Sequence, residues 1–212
     1  MILGITPVRG GSKRLPRKNV RVLCGRPLLA WTVEAAKGAK LLDRYVVSTE
    51  DAEIASAARQ WGAEVLDRPV APATDEATTL SVVQDVLARI PAEVVVLLQA
   101  TSPVRDPDLI DRCIERFLAT QPDSLATGFI CKSTPYGSGP RQMRRQDVPG
   151  FFCDDGNVYV VRAELIRRGD WFGTRIEQMI LDRAQNVDVD DEFDFWLAER
   201  LLEQRQMNSV RR

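Results

Sequence analysis

Two kinds of hydrophobic pattern alternate along the first half of the chain. Residues 1–5 and 93–99 are short, nearly continuous apolar runs, 44–49 centres on Tyr45-Val46-Val47, and 64–66 is a shorter one. Runs of this kind without polar alternation predict parallel strands covered on both faces. Between them the spacing turns helical. Leu28, Trp31, Val33 and Ala35 mark a helix over 27–37 with Trp31 in the core, and Asp51 opens another that runs to about residue 61 with Ile54, Ala55 and Ala58 inward. Residues 76–89 and 107–119 read as two more. Strand and helix thus alternate four times, which predicts a three-layer α/β/α sandwich on a mostly parallel sheet. The length of 212 residues fits one domain over 1–212.

The second half keeps this rhythm less well. Residues 124–130 and 157–162 read as strands, 186–190 as a short last strand, and Asp191 starts a closing helix with Phe195, Leu197, Leu201 and Leu202 inward. Residues 131–152 are rich in glycine, proline and arginine and have no period. They read as an arm over the site or a second subunit, with a plain surface loop as the alternative.

Composition narrows the chemistry. A formal charge of −1 argues against a nucleic-acid partner. No apolar run approaches the ~18 residues of a membrane span, and the first strand flows into a glycine loop as no removable signal peptide does. Four scattered cysteines (Cys24, Cys113, Cys131, Cys153) read as reduced thiols in a cytoplasmic protein. The chain has no histidine. That excludes Ser-His-Asp and Cys-His nucleophiles, a histidine base and histidine-ligated zinc, leaving carboxylates, lysine, arginine, hydroxyls, backbone dipoles or a hard metal ion.

Three groups of residues carry candidate chemistry. Between Arg9 and Arg26 stand seven basic side chains and no acid, around Gly10-Gly11-Ser12. Glycines there let successive N–H groups converge on an anion, and fixed positive charge beside them suits a polyphosphate. A solvated basic loop is the plainer alternative. The segment is neither a G-x-x-x-x-G-K-[ST] loop nor a G-x-G-x-x-G fingerprint, which disfavours a dinucleotide enzyme. The second group is Asp188-Val189-Asp190, whose alternation puts both carboxylates on one face, as a Mg²⁺ site would need. The other reading of this acidic stretch is capping of the last helix, and for Asp191 and Glu192 capping is the better one. The third is a set of polar residues at strand ends, Ser48, Thr49, Glu50, Arg68, Gln99, Thr101 and Ser102, where α/β sheets gather ligands.

The motifs I-T-P-V-R-G-G-S-K-R-L-P-R-K-N, C-G-R-P-L-L-A-W, V-V-S-T-E-D, D-R-P, L-L-Q-A-T-S-P-V-R and V-D-V-D-D-E-F-D-F follow one another along nearly the whole chain. In that order they resemble the acylneuraminate cytidylyltransferases, with their nucleotidyltransferase-like fold. The resemblance implies that CMP passes from CTP to the anomeric hydroxyl of a nonulosonic, sialic acid-like sugar acid, with release of pyrophosphate. By the same analogy Arg9 and Lys18 hold the triphosphate with Asn19 beside them, Arg68 and Thr79 place the nucleotide, and Gln99 faces the sugar. Asp188 and Asp190 hold Mg²⁺, Tyr159 is a pocket aromatic and Arg145 reaches the sugar acid; on chemical grounds Asp190, directly or through a metal-bound water, is the candidate base. The 131–152 arm carries the contact of a homodimer. Pro16-Arg17-Lys18-Asn19 departs from the proline-glycine-lysine of the related CMP-Kdo synthetases, Ala100 replaces a usual proline, and the arm is short. Asp155-Gly156 stands where Asn-Gly is common, which predicts extra negative charge near an anionic substrate. The alternatives are a CMP-Kdo-type or other sugar nucleotidyltransferase, or a homologue that binds the nucleotide without turnover. A glycosyltransferase would place its aspartate pair mid-chain.

Overall fold

The computed structural model describes residues 1–68, 78–133 and 144–210. In chain order the elements are β1 (Ile2–Pro7), β2 (Val22–Leu23), β3 (Arg26–Pro27), α1 (Leu28–Gly38), β4 (Arg44–Thr49), α2 (Ala52–Gln60), β5 (Glu64–Asp67) and α3 (Thr79–Arg89). There follow β6 (Val94–Leu97), α4 (Leu109–Thr120), β7 (Ser124–Cys131), β8 (Phe151–Arg162), α5 (Ala163–Arg167), β9 (Ile176–Ile180) and α6 (Glu192–Val210). Seven strands form one sheet in the order β5-β4-β1-β6-β8-β7-β9, and β2 and β3 make a separate two-residue hairpin. The strands from β5 to β6 are parallel, β8 runs antiparallel to β6 and β7, and β9 is parallel to β7.

The three layers follow from strand alternation. Leu3 and Ile5 of β1 pack with Val83 and Val86 of α3 and Leu165 and Ile166 of α5. On the opposite face Val96 and Leu98 meet Ile110, Ile114 and Phe117 of α4 with Ala36 of α1, and Val47 meets Val33 of α1 and Ile54 and Ala58 of α2. Each buried leucine, isoleucine or phenylalanine side chain contributes about 1.5–3 kcal/mol. The order reverses at β1, whose neighbours β4 and β6 follow it through helices on opposite faces. The carboxyl ends of β1 and β6 therefore flank a crevice, the place where such sheets bind ligands.

Two expectations are corrected. Residues 186–190 join no sheet; among the described residues their backbone is tied by Asn186 N–H to the Arg183 carbonyl at 3.2 Å and Val189 N–H to the Thr101 carbonyl at 2.8 Å. β8 begins at Phe151, so the end of the expected arm is a sheet strand, while 134–143 lies outside the described residues. The expected helix start at residue 76 also lies outside them; α3 begins at Thr79, with the Thr78 hydroxyl accepting from the Ser81 N–H as its cap.

Candidate functional site

A small core cluster joins the two ends of the chain. Leu15 of the basic loop is fully buried with Leu23, Leu28, Val104, Val187, Val189 and Phe195. Anchoring Leu15 holds the loop down, while anchoring Val187 and Val189 turns Asp188 and Asp190 the other way. The result is a contact across 172 residues: Lys18 Nζ donates to Asp190 Oδ1 at 3.0 Å and to the Val189 carbonyl at 2.6 Å. The ion pair is half exposed on the Asp190 side and adds little stability of its own. Its meaning is positional, since the cationic loop and the aspartates meet at one place.

Capping falls to other residues. Asp191 Oδ1 accepts from the Phe193 and Asp194 N–H groups, and Asp194 Oδ2 accepts from those of Asp190 and Asp191. Glu192, expected as a cap, pairs instead with Arg21. Asp188 and Asp190 are thus left to face the loop. Desolvation in the crevice raises the Asp188 carboxyl above its ordinary range, and Asp190 adds to the rise, against the Thr101 hydroxyl and Lys18.

The loop itself is shaped by glycine and by acids beneath it. Gly11 lies at φ +69, and a Cβ on Gly10 would come within 2.5 Å of Asp51 Oδ2. Asn19 is buried and donates to the Arg9 carbonyl at 3.2 Å, closing the loop on itself. The Gly10 N–H, expected to await an anion, is already bonded to Glu50 Oε1 at 2.9 Å.

Beside the loop opens a cleft of about 420 Å³, lined by Arg9, Ser12, Lys18, Asn19, Arg68, Thr78, Thr79, Val82, Gln99 and Thr101 among others. A pocket of about 260 Å³ continues it under Gly10, Gly11 and Arg17. The α3 N-terminus at Thr78 and Thr79 adds the positive end of a helix dipole, so the walls combine cations with oriented N–H groups. Such a cleft can take an extended polyanion with a small polar ring.

Asp188 and Asp190 are outside the cleft lining and meet it through Lys18, and three further predicted residues sit elsewhere. Ser102 is fully buried and donates to the Asp155 carbonyl at 3.3 Å, supporting the wall from behind. Tyr159 is outside the cleft lining; its hydroxyl donates to Asp154 Oδ2 at 2.5 Å and its ring meets Trp171 edge-on. Arg145 opens a short 3₁₀ turn, Arg145–Asp147, and its side chain is outside the description.

Asp155 corrects another expectation. Its carboxyl is buried against Thr127 and the Asn157 N–H, away from the cleft lining, and Oδ2 has no partner among the described residues. Desolvation raises its pKa, partly opposed by the Thr127 and Asn157 hydrogen bonds and by Arg105. A carboxyl whose folded pKa is raised favours the protonated fold, so its contribution declines as pH rises from the unfolded value through the folded one. Asp155→Asn is therefore expected to raise the melting temperature by a few degrees at pH 7. The two proteins should converge below about pH 4, near the ordinary range of an aspartate. Thermal unfolding at both pH values checks it; an unchanged or lower value at pH 7 would show the charge to be tolerated where it is.

Sequence reasoning missed two supports. Glu50 was legible only as a polar strand end, and Arg105 only as the end of a motif. Arg105 is buried, donating to Asn157 Oδ1 at 2.5 Å, the Thr32 hydroxyl at 3.0 Å, and the Gln99 and Asn157 carbonyls at 3.1 and 2.9 Å. It thereby fixes the strand end that carries Gln99. The last residue of L-L-Q-A-T-S-P-V-R was its one visible signal.

Comparison with known proteins gives a consistent picture. A family model described as cytidylyltransferase matches residues 3–163. The CMP-N,N'-diacetyllegionaminic acid synthase of Legionella pneumophila is 31% identical, over 97% of this chain and 97% of its own length. The N-acylneuraminate cytidylyltransferase A of Danio rerio is also 31% identical, over 91% of this chain, which spans about half of that protein's length, 48%. Among solved structures, a CMP:2-keto-3-deoxy-manno-octonic acid synthetase complexed with CTP is similar at a TM-score of 0.78 and 15% identity, over 96% of this chain and 99% of that one. A 4-diphosphocytidyl-2C-methyl-D-erythritol synthase from Anaerococcus prevotii follows at 0.68 and 14%, over 95% and 98%. At such identities these structures speak for the fold alone.

Proposed function

The chain belongs to the cytidylyltransferase family, on its acylneuraminate side, and from that premise we propose that it transfers CMP from CTP to the anomeric hydroxyl of a nonulosonic acid, releasing pyrophosphate. The observation that carries this reading is the contact of Lys18, a residue of the cleft lining, with Asp190, which stands just beyond that lining. It brings triphosphate-binding charge and an acidic pair within reach of one substrate. In-line displacement at the α-phosphorus asks for positioning and charge neutralisation rather than a nucleophilic side chain, which a histidine-free chain can supply.

In this reading Arg9, Lys18, Ser12 and the Gly11 region bind the triphosphate and take up charge on the departing pyrophosphate. Asn19 keeps the loop closed, Arg68 and Thr79 place the nucleoside, and Gln99 and Thr101 face the sugar acid. Arg145 would reach the acid from the β7–β8 side, whereas Tyr159 keeps its place against Asp154 and Trp171 outside the cleft lining. Asp188 and Asp190 fit a hard divalent cation: two oxygen donors two residues apart, free of capping duties, one of them already gathering the Lys18 ammonium. They would hold Mg²⁺, which when bound supplies charge neutralisation at the α-phosphate and acidifies the attacking hydroxyl. Asp190 would receive that hydroxyl's proton. The same reading places the enzyme in the cytoplasm as a homodimer joined through 131–152, and the exposed Ile130 and Phe151 at the root of that segment support such a contact. Among the described residues no helix is long and apolar enough to cross a membrane.

The test is a panel of sialic, legionaminic and other nonulosonic acids, with Kdo and sugar 1-phosphates as controls, in CTP and Mg²⁺. Pyrophosphate release and the mass of the CMP conjugate are read out. Conjugates from nonulosonic acids alone are expected. Turnover of Kdo alone would favour the second reading, a CMP-Kdo-type enzyme. CTP binding without any turnover would indicate a nucleotide-binding homologue.

A further inference from the structure

Glu50 stands behind the nucleotide cleft, and its two carboxylate oxygens are divided between the two walls. Oε1 accepts the Gly10 N–H of the basic loop at 2.9 Å, and Oε2 is paired with Arg68 Nη2. The same Arg68 nitrogen donates to the Val8 carbonyl at 3.1 Å, so it also touches the strand end from which the loop departs. Glu50 is absent from the cleft lining, whereas Arg68 is part of it. The carboxylate therefore acts on the cleft through its partners.

Among the described residues nothing else holds Arg68 as firmly. Its Nε is buried without a partner among the described residues, and its side chain is only 13% exposed. A guanidinium anchored through one nitrogen depends on the carboxylate at that nitrogen for its direction. The loop likewise leans on the acidic start of α2: Asp51 lies against Gly10, and Arg17 pairs with Glu53. Of these contacts only the Glu50 one joins the loop and Arg68 through a single group.

We propose that Glu50 is a positioning residue that couples the phosphate-binding loop to Arg68, setting the width and direction of the nucleotide cleft with one carboxylate. The proposal rests on the nucleotide reading above. Both of its bonds accept from donors, so glutamine, with one amide nitrogen, can keep only one of them. Aspartate keeps the charge but is one methylene too short to span both.

The experiment measures CTP binding by calorimetry and steady-state kinetics for wild type, Glu50→Gln, Glu50→Asp, Arg68→Met and the Glu50→Gln/Arg68→Met pair, with circular dichroism as the check of fold. Glu50→Gln is expected to raise Kd and KM for CTP about tenfold while kcat stays within about twofold, the pattern of lost binding shared by ground and transition states. Glu50→Asp should recover part of the loss. The double variant should be little worse than Arg68→Met alone, because both changes break one unit. Multiplying effects in the double variant, an unchanged KM, or tighter CTP binding in Glu50→Gln would each overturn the proposal. The last would mean that the carboxylate competes with phosphate for its donors. Wild type that binds no CTP would overturn the nucleotide reading and this role together, whereas silence of Glu50→Gln in a CTP-binding wild type overturns this role alone.

Discussion

Asp190→Asn is expected to lower kcat by about 10²–10³-fold with the fold intact and CTP affinity changed far less. Two physical effects add. Asparagine can still accept from Lys18 Nζ, now at 3.0 Å from the Asp190 carboxylate, so the loop keeps its place. What goes is the negative charge that would hold a divalent cation beside Asp188 and the oxygen that would take the anomeric proton. Loss of a positioned proton acceptor alone is worth about 10²–10⁴-fold in rate, and a site of one carboxylate binds Mg²⁺ weakly. The charge change also leaves Lys18 without its ion partner, which favours nucleotide binding through its phosphates. The measurement is pyrophosphate release against Mg²⁺ concentration, with CTP binding followed separately. A variant that keeps wild-type kcat across that titration removes Asp190 from both the metal and the proton transfer. A variant rescued by high Mg²⁺ keeps the metal role and removes the proton one.

That the cationic loop and the aspartates serve one site was implied by the resemblance, and the residues carry two local signs of it. A glycine-bearing loop with seven cations and no acid suits phosphates, whose charge calls for a metal counter-ion, and Val187-Asp188-Val189-Asp190 announces its two faces by alternation. The structure keeps the alternation while discarding the strand, because Val187 and Val189 are buried in a cluster with Leu15 rather than in a ladder. Periodicity reports which side of a segment is covered, and it is silent on what covers it.

The elements missed are those whose pattern is too short or reversed. α5 has five residues, less than two turns. In β9 the two isoleucines, Ile176 and Ile180, face solvent at 51% and 61% exposure, while Glu177 and Met179 point inward. Glu177 is held there by Arg116 of α4. An edge strand that shows its apolar residues gives the wrong phase to any reading that takes hydrophobic for buried. The first half of β8, with Cys153, Asp154, Asp155 and Gly156, lacks an apolar rhythm for a related reason. Asp155 is buried there by hydrogen bonds to Thr127 and to the Asn157 N–H, which composition cannot announce. Glu50 and Arg105 share this opacity, since their partners lie far away in the sequence.

Arg105→Met is expected to destabilise the protein by about 3–5 kcal/mol, the range for removing one partner of a buried charged network. The Arg105 guanidinium reaches Thr32 on α1, Gln99 at the end of β6 and Asn157 on β8, and so ties three elements under the cleft. Burial lowers its pKa to about 10, opposed chiefly by Tyr45 and Asp155, so it is still charged at neutral pH. Methionine fills a similar volume and donates nothing. The Asn157 Oδ1 and the Thr32 hydroxyl, with the Gln99 and Asn157 carbonyls, then lose their donor in the interior, each at a cost of about 1–3 kcal/mol before any rearrangement. Rearrangement and water entry hold the sum below the total of these terms. Against a typical domain stability of about 5–15 kcal/mol, the loss brings the variant close to its unfolding midpoint at modest denaturant. Arg105→Lys should recover only part of the loss, because an ammonium cannot present the planar fork that spans Asn157 and Gln99. Urea unfolding of the three proteins checks this through the midpoint at constant slope. A methionine variant within about 1 kcal/mol of wild type would mean that the buried acceptors find other donors, and that the strand end bearing Gln99 is held by packing instead.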